Sequence, residues 1–275
     1  MSGAAVEVSV VVPAYNAARH LAATLDSILA QQDAVFEVIV ADDRSTDETA
    51  HIVADFAARD PRVRYCCTPA NCGGPAGPRN LGIEQARSEW IALCDADDLW
   101  HPRKLKTQLD CAHTTGAQLV CTAIEDFADG APPMALLQRK LPANAAAHTL
   151  GLWPMMLKNR IATSSVLCCR ELILASGGFD TDRQLIAVED YDLWLRVVAR
   201  PDVRAMRIAE PLVAYRRLDS SISANKGQQA IKVLRVLRRA AVRQGWGWLF
   251  PLAAPALIAT YVVSSLVLRR VHGRL

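Results

Sequence analysis

The apolar positions of this chain change their period as they run. "VEVSVVVPAYN" is a β-branched block halted by Pro13, the pattern of a buried strand that ends in a loop. "AARHLAATLDSILAQQ" then places Leu21, Leu25, Ile28 and Leu29 at helical spacing. "FEVIVADD" predicts a second buried strand. "STDETAHIVADFAARD" predicts a helix opened by a Ser45 or Thr46 cap, with acids in its first turn. "VRYCCTP" predicts a short third strand, "GPRNLGIEQARSE" a helix and "WIALCDADD" a fourth strand. This alternation predicts an α/β fold around a doubly wound sheet, where ligands bind beyond the carboxyl ends of the strands. Three polar clusters fall at those ends: Ala14-Tyr15-Asn16, Asp42-Asp43, and Asp95 to Asp98.

Beyond Pro102 the pattern predicts a helix in "RKLKTQLDCAHTTG" and a strand in "AQLVCTAIEDF". Residues 128–160 are rich in Ala and Pro and predict loop with short helix. "ATSSVLCCRELILASGGFD" predicts a strand, a helix and a Gly-Gly turn, and "VEDYDLWLRVVAR" a helix with Leu193, Trp194, Val197 and Val198 on one face. "QQAIKVLRVLRRAAVRQ" predicts a basic amphipathic helix. From Trp246 to Leu268 there is no charge. As a helix that run would extend about 34 Å, against a hydrocarbon core of roughly 30 Å. Pro251 and Pro255 weaken the helix but are tolerated in membrane spans. A transmembrane helix, a re-entrant or surface-lying segment, and a helix packed on the domain are all open for it.

With 275 residues and a 51% apolar fraction, the chain can bury one large core or two modest ones. The net charge of +3 is too small to imply nucleic acid as a partner. The charge is uneven, however. Beyond residue 220 basic side chains prevail, so the C-terminal tail is expected to have a partner of its own, and the cytoplasmic side of a membrane fits it. The eight cysteines form no CxxC pair and several lie in apolar runs, which favours small buried hydrophobes in a reducing compartment over a metal or disulfide framework. "MSGAAVEVSVVV" carries no basic leader or long apolar run, so no signal peptide is expected and the catalytic part is expected at the cytoplasmic face of the cell membrane.

The acidic clusters carry the candidate chemistry. If the fourth strand persists to Asp97, the Asp95 and Asp97 carboxylates share one face. Two such charges about 5 Å apart repel by roughly 3 kcal/mol at an effective dielectric near 20. Mg²⁺ or Mn²⁺ would offset that, since hard cations take oxygen ligands and keep places for substrate phosphates. A solvated acidic turn reads equally well from these residues alone. Asp42-Asp43 could contact a nucleobase or ribose, or only cap the next helix. Glu189-Asp190 opens an apolar-faced helix, where carboxylates are favoured in any case.

Taken in order, "VVPAYN", "IVADDRSTDET", "NCGGPAGPRNLGI", "WIALCDADDLWHPRKL", "GGFD" and "EDYDLWLR" resemble the family 2 glycosyltransferases of the GT-A fold. The resemblance runs from about Val8 to Arg196. It implies a Rossmann-like, mostly parallel sheet flanked by helices. Residues 1–220 would form the transferase domain, divided into a nucleotide-binding half, 1–105, and an acceptor half, 106–220; residues 221–275 would form the basic helix and a membrane-associated apolar tail. It implies a nucleotide-sugar donor held by Pro13, Ala14, Tyr15 and Asn16, with Asp43 at the base. It implies a DxD metal motif for Mn²⁺ or Mg²⁺, with Asp97 as the leading ligand, Asp98 as a further metal candidate and Asp95 at the metal or the ribose. Asp190 would be the general base of an inverting transfer to a glycan or lipid-linked acceptor, and Arg79 and Asn80 would approach the donor. There are departures. Arg44 and Ser88 stand where the family often has Gly, and Leu218 where a His is usual, so Arg44 could alter nucleotide choice and Arg216 and Arg217 are left to face phosphate. A phosphoacceptor receiver domain is disfavoured because the first strand ends in "PAYN" and not in an acidic pair. A catalytically silent membrane scaffold of the same fold is the alternative, but the DxD and base motifs are both present.

Overall fold

In a computed structural model of the chain, residues 8–31, 35–131, 133–142, 145–217 and 226–250 are described. The apolar tail beyond Phe250 and the Leu218 position, on which expectations were set above, lie outside the described residues. Among those residues, no helix is long and apolar enough to cross a membrane.

The first half follows the predicted alternation. Strand β1 (Val8–Ala14) is buried along its whole length, between β2 (Val35–Asp42) and β4 (Trp90–Leu93), both parallel to it. Strand β3 (Val63–Cys67) adds to the outer side of β2. Period-two alternation sends Val8, Val10 and Val12 into one core and Val11 into the other, so both faces of the sheet are covered. Helices α1 (Leu21–Leu29), α2 (Thr49–Arg59) and α3 (Ala76–Gln85) make the crossovers. Helix α3 lies close on β1 because Gly82 has no side chain: a Cβ there would meet Val11 Cγ1 at 2.4 Å. The cap expected at Ser45 or Thr46 is not formed. Helix α2 starts later, and Asp47 Oδ1 accepts the Thr49 N–H at 3.0 Å, while Ser45 Oγ donates to Asp42 Oδ1.

The second half continues the same sheet. Helix α4 (Lys104–Thr115) ends at Gly116, whose φ of +68° closes the helix. Strand β6 (Leu119–Ala128), α5 (Met134–Leu137), β7 (Ala147–Leu150), α6 (Leu152–Leu157), β8 (Leu167–Cys169), α7 (Arg170–Ala175) and α8 (Glu189–Val198) follow. With β5 (Leu99–Trp100) and β9 (Ala205–Arg217), strand order is β3-β2-β1-β4-β8-β6-β9-β5, with β7 also on β9. Strand β8 is antiparallel to β4 and to β6. The sheet therefore passes unbroken from the parallel half into the mixed half. Helix α8 buries Leu193, Trp194, Val197 and Val198, as its pattern predicts, and Trp194 meets Phe179 edge-on.

Three strands were not read in the sequence. Strand β5 (Leu99–Trp100) is two residues long, and β7 lies in the Ala/Pro-rich stretch. The third, β9 (Ala205–Arg217), pairs with β6, β5 and β7, but Pro211 interrupts its sequence. The ladder absorbs that residue by shifting register at Thr122/Ala123 and Ala123/Ile124, a bulge opposite the proline. Helix α9 (Lys226–Arg243), grouped in the sequence with the tail, packs on the domain: Val236, Leu237, Ala240 and Ala241 enter the larger core, and Arg243 Nη1 reaches Asp192 Oδ1 at 2.9 Å.

Candidate active site

The carboxyl ends of β1, β2 and β4 converge, as a doubly wound sheet requires. Asn16, after β1, has φ +49°, and its loop is held by two bonds: Asn16 N donates to Ser45 Oγ and Thr46 N to Asn16 Oδ1, both at 2.8 Å. Pro13 and Ala14 are buried in β1, and Tyr15 stands exposed beside them. Asp43 N donates to Ala14 O at 2.8 Å, tying the two strand ends together. The Asp43 carboxylate is only 3% exposed and accepts from Thr68 Oγ1 and Cys72 N at 2.9 Å, so it also organises the loop after β3. Arg44 has φ +67°, a conformation that favours glycine, and its Nη2 donates to Pro69 O at 2.6 Å. The guanidinium expected to influence nucleotide choice is thus committed to a backbone carbonyl.

The acidic turn differs from the expectation of an extended strand. Strand β4 stops at Leu93, and Asp98 N donates to Asp95 O at 3.2 Å, so a turn sets the carboxylates. Asp95 N donates to Ser164 Oγ at 3.0 Å. Asp97 makes no side-chain hydrogen bond or ion pair among the described residues. Burial, with the Asp95 charge adding to it, pushes its carboxyl up to about 6. Asp98 turns inward. It is 1% exposed, its Oδ1 accepts the Arg216 N–H at 2.9 Å, and burial beside Asp95 and Asp97 holds its carboxyl well above the usual range. Asp98 therefore closes the turn from below on the Arg216 amide, and its burial leaves it less available than Asp97 for the metal contact assigned to it from sequence.

At the other side of the site, the first turn of α8 presents Glu189 and Asp190. Asp190 is partly exposed; its Oδ2 accepts from Thr163 Oγ1 at 3.0 Å and its Oδ1 from Tyr191 N at 2.7 Å. Burial, and then the charge of Glu189, push its carboxyl up to about 7 despite the opposing Arg79 cation. Arg79 joins the two sides. Its Nη1 donates to Glu189 Oε1 and its Nη2 to Asp95 Oδ1, each at 2.7 Å. Burial alone would weaken this cation's hold on its proton, and the two carboxylates more than reverse that. Asn80, expected near the donor, uses both ends of its amide on Phe179: Nδ2 donates to the carbonyl at 2.8 Å and Oδ1 accepts the N–H at 2.9 Å. Its role is to hold the Gly177-Gly178 turn.

Several residues of the site were missed. Thr163 and Ser164 lie in a short turn whose hydroxyls reach Asp190 and the Asp95 amide. "ATSS" is a run of small polar residues before a strand, the only sequence signal for them. The Tyr215 phenol, raised by burial and by Asp95, Asp98 and Asp97, faces the acidic turn from β9. Arg216 Nε donates to Asp97 O at 2.8 Å and its Nη1 pairs with Asp129, which also pairs with Arg19 at 2.7 Å. Arg217 is exposed and paired with Asp126.

Two hard oxygen donors without a full complement of protein partners suit a divalent cation. Among the described residues Asp97 is unpaired, and Asp95 engages Arg79 through one oxygen. No group of three or more His, Cys, Asp and Glu side chains is poised to hold an ion by itself among the described residues. A cation there would complete its shell with water and substrate oxygens, the usual arrangement for Mg²⁺.

The family model for Glycosyl transferase family 2 matches residues 9–169. The succinoglycan biosynthesis protein ExoO of Rhizobium meliloti is 43% identical over 113 residues, which is 41% of this chain and 32% of ExoO. This chain thus aligns with about a third of that protein. An Escherichia coli protein named as the UDP-Glc:alpha-D-GlcNAc-diphosphoundecaprenol beta-1,3-glucosyltransferase WfaP is 27% identical over 239 residues, 86% of this chain and 87% of its own. The crystal structure of S. aureus TarS in complex with UDP-GlcNAc superposes with a TM-score of 0.68 at 21% identity, covering 86% of this chain and 66% of TarS. With the motifs placed at one end of one sheet and the family model covering more than half of the sequence, the chain belongs to the family 2 glycosyltransferases of the GT-A fold.

Proposed function

We propose that this chain is an inverting, metal-assisted transferase that moves a sugar from a nucleotide-diphosphate donor to a hydroxyl of a glycan or lipid-linked acceptor, at the cytoplasmic face of the membrane. The observation that carries the reading is the state of Asp190. Its carboxyl is pushed up to about 7, it keeps some exposure, and it is coupled through Glu189 and Arg79 to Asp95. A base that titrates near working pH can take a proton from an attacking hydroxyl and still be ionised beforehand.

The residues divide the work. Thr163 and the Tyr191 amide orient the Asp190 carboxylate. The loops at Pro13–Asn16 and Asp43 form the floor for the nucleotide, with the exposed Tyr15 ring available for the base. Asp97, with Asp95 second, would hold Mn²⁺ or Mg²⁺, which supplies Lewis-acid stabilisation of the departing diphosphate when bound. Arg79 keeps the Asp95 and Glu189 side chains at fixed separation. Inversion follows from a single displacement, since one base on the acceptor side suffices and no protein nucleophile is required.

The relatives narrow the substrates. WfaP is named for a UDP-Glc donor and a diphosphoundecaprenol-linked acceptor, and the TarS complex holds UDP-GlcNAc. A UDP-sugar and a polyprenyl-diphosphate-linked glycan are accordingly the proposed pair. The test is UDP release from a panel of UDP-sugars, with Mn²⁺ and with chelator, for wild type and Asp190→Asn. One donor is expected to be turned over by wild type alone. Equal turnover by Asp190→Asn would remove it as the base, and absence of UDP release from every sugar would overturn the donor class.

A further inference from the structure

The outward face of α9 has a pattern the transfer chemistry does not use. Ile231, Arg235, Arg238 and Val242 recur at i, i+4, i+7 and i+11, so they form one stripe, opposite the buried Val236, Leu237, Ala240 and Ala241. The apolar ends of the stripe are uncovered, Ile231 at 63% and Val242 at 59% exposure, and Trp248 beyond the helix is 75% exposed. Trp153 of α6, also exposed, stacks on Trp246 at 4.9 Å. Beside the stripe runs a groove of about 450 Å³ lined by Gln184, Arg235, Arg238, Arg239, Val242 and Arg243, with no acidic side chain in its lining. Arg239 is paired with Asp180 and Asp182, and Arg243 with Asp192. Arg235 and Arg238 have no ion-pair partner among the described residues.

We propose that this face of α9 seats the enzyme on an anionic phospholipid surface, with Arg235 and Arg238 on headgroup phosphates and Ile231, Val242 and Trp248 entering the interface. Guanidinium groups pair with phosphate oxygens through parallel hydrogen bonds. Cations flanked by exposed apolar side chains on one helix face are the arrangement of helices that lie in a membrane interface, with the tryptophan at headgroup depth. The sequence from Trp246 to Leu268 is uncharged, so the chain leaving α9 is compatible with the same phase. The proposal refines the membrane location given above and does not depend on the transfer reaction.

The experiment floats the 275-residue chain with vesicles of pure phosphatidylcholine and with vesicles rich in phosphatidylglycerol, at low and high salt. UDP release and thermal melting are read on the same preparations. Wild type is expected to prefer the anionic vesicles and to lose that preference at high salt. Arg235→Glu/Arg238→Glu is expected to lower partitioning to them by about tenfold or more, given the typical attraction of each basic residue to an anionic leaflet. Its melting and UDP release should stay as in wild type. A charge-matched control, Arg59→Glu/Arg87→Glu, exposed on α2 and in the loop after α3, should retain binding. Equal binding to both vesicle types, an unaffected double variant, or an equal loss in the control would each overturn the proposal. So would self-association of wild type without lipid that the double variant abolishes. If the double variant melts early, Arg235→Gln/Arg238→Gln replaces it, with a smaller loss expected and no loss overturning the proposal. Loss of UDP release with vesicle binding intact would count against the transfer reading alone.

Discussion

Arg79 Nη1 stands 2.7 Å from Glu189 Oε1, across 110 positions of sequence. The same guanidinium reaches Asp95, so the turn after β4 and the first turn of α8 share one buried cation. Removing it would leave the buried Glu189 carboxylate, and the partly exposed Asp95, without their cation. Arg79→Ala is expected to destabilise the fold by about 3–5 kcal/mol, the usual cost of breaking a buried ion pair from one side. Arg79→Lys should restore only part, because an ammonium lacks the planar fork that spans two acceptors. Urea unfolding measures both, and a loss under about 1 kcal/mol for Arg79→Ala would show that the bridge is not structural.

Asp190→Asn is expected to lower kcat by about 10²–10⁴, the range for loss of a general base, with the donor KM little changed. Since the carboxyl titrates near 7, log kcat/KM of wild type should rise with unit slope up to about pH 7 and then level. A profile flat from pH 5 to pH 8 would assign proton removal elsewhere.

The same shift has a consequence for stability. A carboxyl held at about 7 in the folded state binds its proton more tightly than in the unfolded chain, where the ordinary value of roughly 3.9 applies. Its contribution is fully present below about pH 4 and is lost as pH rises through 7. Asparagine does not titrate, so the stability of Asp190→Asn relative to wild type should increase between about pH 4 and 7 and level above that. Denaturant midpoints across this range test the sign; a decreasing difference would contradict the raised carboxyl.

The acidic turn separates two aspartates that adjoin in sequence. Asp97→Asn should weaken Mn²⁺ dependence by about tenfold or more, because it removes the unpaired oxygen donors. Asp98→Asn should leave the metal requirement within about twofold, since that side chain is buried and turned under the loop onto the Arg216 amide. Metal titration of UDP release distinguishes them, and the reverse order would reassign the ligand.

Gly82→Ala tests how closely α3 rides on the central strand. The added methyl would fall 2.4 Å from Val11 Cγ1, in a part of the core with no space to yield. A loss of about 1–3 kcal/mol is expected by thermal or denaturant unfolding.

Much of this molecule follows from local chemistry. Continuous β-branched runs such as "VSVVV" have no polar face to leave in water, so they must be covered on both sides, which is enough to call for a parallel sheet with helices on each face. The apolar stripe of α8 announced its buried side in the same way. Period and propensity placed Asn16, Asp43, Asp97 and Asp190 near the ends of strands or helices, and it was the likeness of the ordered motifs to the family that pointed to them as site residues. What the sequence left open depends on distant partners. Strand β9 needs β6 to accommodate Pro211, so no window of its own residues reveals it. Asp97 and Asp98 are the same residue type side by side; only the approach of Arg216 from β9 turns one under the loop and leaves the other unpaired. The raised Asp190 carboxyl likewise arises from burial and from Glu189, and its alignment from Thr163, 27 positions away. Local pattern determines which groups lie at the strand ends, because period and propensity act over a few residues. Their charge and direction were decided by tertiary packing, because desolvation and ion pairing act through space.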